Sequence, residues 1–229
     1  ESKDNLKGYY KFEKTFIFTN KVDEFIEQCK DSDILLCSCY IWNWEITKHL
    51  ANEIKKINPN CLIIFGGPQV PDRTEGFFKE HPYVDILVHN EGELVLENIF
   101  VAFLKDRNYL DVKGISTKDF RTSPHPRIND LESLPSPYLT DTIWKLIDKN
   151  DSAKWAFSWE TDRGCPYQCT FCDWGSATKT MVRKYSEDRL FKEIEYFADH
   201  QMSYIECCNA NFGIFQERDM NIAQKFTKT

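Results

Sequence analysis

The chain has 229 residues, 41% apolar and 14% aromatic, and a net charge of −7. That length fits one large or two modest domains, no apolar run is long enough to cross a bilayer, and beyond a small local patch the acidic balance leaves no basic footprint for nucleic acid. Its nine cysteines are an odd number, which excludes a fully paired internal disulfide framework.

The first half alternates strand and helix. "TFIF" (residues 15–18) is a short β-like run, and "VDEFIEQC" then puts Val22, Phe25, Ile26 and Cys29 on one helical face. "DILLCSC" (residues 33–39) is a continuous apolar run of buried-strand type. A helix from Thr47 carries Leu50, Ala51, Ile54 and Ile57 and stops at Asn58-Pro59-Asn60. "CLIIF" is a third strand, broken at Gly66-Gly67-Pro68, and "VDILV" a fourth, ending at "HNEGE". The last helix carries Leu96, Ile99, Phe100 and Phe103. Apolar runs separated by amphipathic helices predict a parallel sheet with helices on both faces, an α/β fold of Rossmann-like (flavodoxin-like) type.

Residues 113–151 read differently. "RTSPHPRINDLESLPSPYL" has four prolines and little periodicity, which predicts a connection between a first domain, 1–112, and a second, 152–229. The second half restarts with strand-like "KWAFSWET" and a cysteine-rich loop. Ser186 is placed to cap a helix whose buried face is Leu190, Phe191, Ile194 and Phe197. "SYIECC" is the next strand, broken at residues 209–213. That order is the start of a βα barrel or of a second open sheet. The sequence opens at Glu1 and closes on "QKFTKT" within a helical pattern, so a fragment of a longer protein is expected. The several cysteines in apolar runs read as buried thiols, and with no leader pattern they suggest a reducing, cytoplasmic setting.

Cys165, Cys169 and Cys172 share the stretch "RGCPYQCTFCDWG". Structural zinc wants four ligands, often as two distant close pairs, and no second pair or CxxH follows. A disulfide oxidoreductase would use one CxxC and leave Cys165 superfluous. Iron–sulfur clusters are held by thiolates in close-spaced loops, and three thiolates on a four-iron cluster leave one iron open for a ligand. Spacing alone favours the cluster and leaves zinc and chance standing.

CxxxCxxC with Phe171 before its last cysteine resembles the radical SAM signature. Its surroundings, "ETDRGCPYQCTFCDWGSATKTMVRKYS", resemble the radical SAM enzymes that carry an N-terminal cobalamin (B12)-binding domain. The resemblance implies a truncated radical SAM barrel in the second half. It implies a [4Fe-4S] cluster on Cys165, Cys169 and Cys172, whose open iron binds S-adenosylmethionine, with Phe171 near the adenine. The "NANFG" loop stands where such enzymes bind the methionine end, which makes Asn209 and Asn211 candidates, although it departs from the common Gly-Gly-Glu form. Arg183 is a candidate for the carboxylate, its alternative being a solvated surface arginine.

Doubly wound sheets bind ligands beyond the carboxyl ends of their strands. Three such ends carry suitable residues: Ser38 and Tyr40 in "CSCYIWN", Gly66 and Gly67 in "FGGPQ", and Gly92 in "HNEGE". Under the same resemblance these loops surround cobalamin; by themselves they are ordinary turns. The Asp-x-His-x-x-Gly loop that gives cobalt a histidine is absent, and neither His49 nor His89 has that context. The implied activity is a methyltransferase, using S-adenosylmethionine and cobalamin to methylate an unactivated carbon. The implied partners are a small-molecule or peptide substrate and an electron donor such as flavodoxin or ferredoxin, with no nucleic acid and no membrane.

Other reaction types within the family, cyclisation, rearrangement or methylthio transfer, are the alternative; a methylthiotransferase would show a second cysteine triplet, which Cys29, Cys37, Cys39 and Cys61 do not form. A non-catalytic cobalamin sensor would leave the cysteine loop unexplained. Trp42, Trp44, Trp159 and Trp174 are candidates for a cofactor cleft or for the core.

Overall fold

The computed structural model describes residues 6, 8–12, 21–146, 156–172 and 180–229. The chain divides into two compact units, Glu1–Arg127 and Ile128–Thr229. The expected "TFIF" strand and Trp174 lie outside the described residues.

In the first unit, α1 (Val22–Cys29), β1 (Ile34–Ser38), α2 (Trp44–Ile57), β2 (Leu62–Gly66), α3 (Phe77–Glu80), β3 (Ile86–Val88), α4 (Glu93–Lys105) and β4 (Ile115–Ser116) follow in order. The sheet order is β1-β2-β3-β4. β1, β2 and β3 are parallel, with Ser38 opposite Gly66, and β4 is antiparallel to β3. Side chains alternate across a strand, so this sheet has two cores. Leu35, Ile63, Phe65 and Leu87 pack with Ala51 and Ile54 of α2 and Cys29 of α1. On the other face Ile64, Ile86, Val88 and Ile115 pack with Val95, Ile99 and Ala102 of α4. The apolar runs of β2 and β3 are strands buried on both faces, whereas β1, also expected to be fully buried, covers Leu35 and leaves Leu36 of its other face exposed.

Part of the 113–151 stretch belongs to this sheet. Ile115 and Ser116 are wholly buried, and the chain turns back at Thr117–Phe120 so that Ser116 bridges Arg121. A strand of two residues has no readable alternation, which is why it reads as connection. The helix expected from Thr47 starts three residues earlier, at Trp44, which packs on Phe65 at a centroid distance of 5.8 Å.

The second unit opens with a 3₁₀ turn, Leu131–Ser133, and a short α5 (Thr142–Leu146). It continues with β5 (Ala156–Trp159), β6 (Asp162–Arg163), β7 (Arg183–Lys184), α6 (Glu187–Asp199), β8 (Tyr204–Cys207) and α7 (Gln216–Lys228). β5 and β8 are parallel, Trp159 opposite Cys207, and β6 pairs antiparallel with β7. Strand, helix, strand, helix is the expected repeating pattern. α6 begins where expected: Ser186 Oγ accepts the Arg189 backbone N–H at 3.3 Å. Its Leu190, Ile194 and Phe197 are buried with Trp159, and Phe191 is only half-buried. Glu193, also buried, accepts from Trp159 Nε1 at 2.6 Å and from Arg189 Nε at 3.1 Å.

Candidate functional site

The cysteine loop leaves β6 through Gly164. Its φ of +115° is left-handed, and a Cβ there would lie 2.6 Å from the Met181 carbonyl oxygen, so only glycine fits. Cys165 is then fastened at both backbone ends. Its N–H donates to Thr180 Oγ1 at 3.3 Å, and its carbonyl accepts the Thr180 N–H at 2.8 Å. Cys165 is 7% exposed, whereas Cys169 and Cys172 are open to solvent and share a turn closed by the Cys172 N–H on the Cys169 carbonyl, 3.1 Å. Phe171, between them, is 90% exposed. Among the described residues no three His, Cys, Asp or Glu side chains gather closely enough to hold a metal ion. One of the three thiols is therefore set in place, and the other two stand on the outer part of the same loop.

The loop after β8 comes to this one. Asn211 Nδ2 lies 3.1 Å from Cys165 Sγ. Asn209 Oδ1 accepts the Thr161 N–H at 3.3 Å, and its Nδ2 donates to Thr161 Oγ1 at 2.9 Å. Arg183, expected either at a ligand or in solvent, is buried, and its guanidinium donates to the Ile128 carbonyl at 2.6 Å.

In the first unit Ser38, Gly66 and Gly92 stand at one sheet edge, because β1, β2 and β3 run the same way. The Ser38 carbonyl accepts from Asn43 Nδ2 at 2.7 Å, and Asn43 Oδ1 caps the Tyr40 N–H at 2.8 Å. Tyr40 stacks on Trp42 at 4.6 Å, and Trp42 is 75% exposed.

Residues 11–100 match the B12 binding domain family. The chain is 38% identical over 230 residues to the cobalamin-dependent radical SAM methyltransferase TokK of Streptomyces tokunonensis, covering 97% of this chain and 34% of that protein. It is 39% identical over 231 residues to the 2-(S-pantetheinyl)-carbapenam-3-carboxylate methyltransferase of Streptantibioticus cattleyicolor, covering 98% and 34%. This chain resembles the B12-binding radical SAM enzymes over nearly its whole length.

It spans about a third of the length of these relatives. The fold agrees with the solved structure of the cobalamin-dependent S-adenosylmethionine radical enzyme OxsB, TM-score 0.72 at 24% identity, over 92% of this chain and 31% of that one. It also agrees with the radical SAM methyltransferase TsrM of Kitasatospora setae, TM-score 0.64 at 14% identity, over 92% and 42%. A Rossmann-like B12-binding domain followed by the start of a radical SAM βα domain is thus the architecture.

The residues fit what such a protein binds, with one distinction among the glycines. Gly67 has φ +107°, and a Cβ there would meet the Cys39 carbonyl oxygen at 2.7 Å; its lack of a side chain is required by the turn itself. A Cβ on Gly66 or Gly92 would meet only Val88, at 3.8 and 3.6 Å, an ordinary contact. Sterics therefore do not require glycine at either position, although Gly92 also stands at the N-cap of α4, where glycine is favoured. Three thiols on one loop are the donor set an iron–sulfur cluster uses. His89 is buried, with Nε2 2.8 Å from Ser116 Oγ, and His49 lies exposed on α2. Trp159 is core and Trp44 half-buried.

Sequence reasoning missed Arg218 and its partners. This buried guanidinium donates to Asp162 Oδ2 at 2.7 Å, Asp219 Oδ1 at 2.8 Å and the Thr161 carbonyl at 3.0 Å. The only trace in the sequence is charge where burial was due, "TD" just before "RGC" and "ERD" at the start of a helix.

Proposed function

We propose that the protein containing this chain is a cobalamin-dependent radical SAM methyltransferase acting on a small molecule. The observation that carries the proposal is the match to two named methyltransferases over nearly the whole chain, a stretch that takes in this chain's own B12 binding domain match and its three-cysteine loop. Bound together, a [4Fe-4S] cluster with S-adenosylmethionine supplies hydrogen-abstracting radical chemistry, and cobalamin supplies the methyl group.

In this proposal Cys165, Cys169 and Cys172 hold the cluster and leave one iron open. The exposed ring of Phe171 is free to cover an adenine. Ser38, Tyr40, Gly66 and Gly92 line the sheet edge offered to cobalamin, and the turn made by Gly67 shapes it. Asn209 orders the loop beside the cluster through Thr161. Arg183, committed to Ile128, braces the second unit. Electrons come from a small donor such as flavodoxin or ferredoxin.

The test is anaerobic reconstitution of the full-length protein with iron, sulfide, cobalamin and S-adenosylmethionine, with a carbapenam thioether as the first substrate assayed. Production of both 5′-deoxyadenosine and S-adenosylhomocysteine with a methylated product is expected. Cobalamin binding with neither product would point instead to a sensor.

A further inference from the structure

We infer that Asn211 is a tuning residue for the iron–sulfur site: its side-chain amide donates a hydrogen bond to Cys165 Sγ and raises the reduction potential of a cluster held there. The inference rests on the cluster reading proposed above.

The geometry is direct. Asn211 Nδ2 and Cys165 Sγ are 3.1 Å apart. A thiolate bound to iron has no proton and can only accept, so the amide N–H is the group that must face it. Charge-assisted hydrogen bonds are roughly twice as strong as neutral ones. An added electron puts more negative charge on the sulfur. The bond therefore stabilises the reduced cluster more than the oxidised one, and hydrogen bonds to the sulfurs are among the features that set cluster potential. Cys165 is the buried thiol of the three, where water screens the interaction least.

Both partners are held by other contacts. Cys165 is clasped by Thr180. The loop bearing Asn211 is fastened on both sides. Asn209 is tied to Thr161, and Asp219 Oδ2 accepts the Gly213 N–H at 2.7 Å and the Phe215 N–H at 3.2 Å. Arg218 joins the two ends, because it bonds Asp219 on one side and Thr161 and Asp162, at the root of the cysteine loop, on the other. Loop and root thus share one buried guanidinium, and the amide is set against the sulfur.

The test uses the full-length protein, reconstituted anaerobically with iron and sulfide and without S-adenosylmethionine. The cluster absorption is followed during an electrochemical titration. Asn211→Leu removes the donor, and Asn211→Asp keeps the shape but offers only acceptors. Both should lower the midpoint. At the wild-type midpoint the ratio of reduced to oxidised cluster should fall several-fold, a tenfold fall being 59 mV for one electron. An unchanged midpoint in a variant that carries the cluster would overturn the inference. So would weaker S-adenosylmethionine binding with an unchanged midpoint, which would make Asn211 a ligand contact. Loss of iron from both variants, with wild type loaded, would overturn it in favour of a role in assembly. Wild-type protein that takes up no cluster would instead sink the reading of the site itself.

Discussion

Gly66 and Gly67 are adjacent and make opposite demands. A side chain on Gly67 runs into the Cys39 backbone from a left-handed φ, so Gly67→Ala should cost about 1–3 kcal/mol, read as a lowered denaturant midpoint. Loss of cofactor binding in that variant would say nothing about the cofactor. Gly66→Ala meets only an ordinary contact. It should unfold like wild type yet bind hydroxocobalamin at least about tenfold more weakly, roughly 1.4 kcal/mol. Equal affinity would show that Gly66 serves the turn alone. Among the cysteines, alanine at 165, 169 or 172 should each abolish the cluster absorption after anaerobic reconstitution; retention in all three would remove the cluster. The remaining thiols differ by burial, which pushes Cys39 up to about 12 and Cys61 to about 11. Iodoacetamide at pH 8 should leave these two unlabelled in the native protein and reach them after unfolding, because only thiolates react, while exposed Cys208 is labelled at once.

At the level of elements, α6 and the β3–β4 pair each invite a measurement. Ser186→Ala removes an N-cap acceptor and should cost about 1 kcal/mol. His89 ends β3 and bonds Ser116 of β4. Burial, and then the Arg121 charge, hold its imidazole below the usual range, with Asp72 opposing. The unfolded chain takes up a proton near pH 6.5, and the folded one resists it. Stability should therefore fall as pH drops from about 6.5 through the folded value. In His89→Gln the urea midpoint should change less between pH 7.5 and 5.5; an identical slope would show that His89 contributes nothing. These elements were unequally legible. Leu190, Ile194 and Phe197 repeat at helical spacing, and "ILLCS" and "LIIFG" are apolar without a break, so local pattern revealed α6, β1 and β2. Ile115–Ser116 and the Arg218 cluster were hidden for a shared reason: their partners lie far along the chain, and a pair such as Arg218 and Asp162 leaves no periodic mark. The three thiols were legible because their spacing is local. The contact of Asn211 with Cys165 was not, since 46 residues separate them.

Across the whole chain, two units of different chemistry should respond to different additions. Under the proposed function, cobalamin at a hundred times its Kd adds about 2.7 kcal/mol to the unit that binds it. Hydroxocobalamin should raise the thermal transition of the full-length protein, and Cys165→Ala should not diminish that rise; an equal loss in the cysteine variant would mean that cobalamin binding requires the second unit's loop. One small feature also decides where the chain is free to change in length. Cys165 and Thr180 are 15 residues apart and bonded to each other twice through backbone and hydroxyl. Because that clasp closes the loop at its base, residues gained or lost beyond it need not propagate to Cys165. Doubling a flexible loop costs only about 0.6 kcal/mol in closure entropy. A change of length between Cys172 and Thr180 thus leaves both the spacing of the three thiols and the address of the innermost one as they are, and a panel of such variants should unfold within about a kilocalorie per mole of one another.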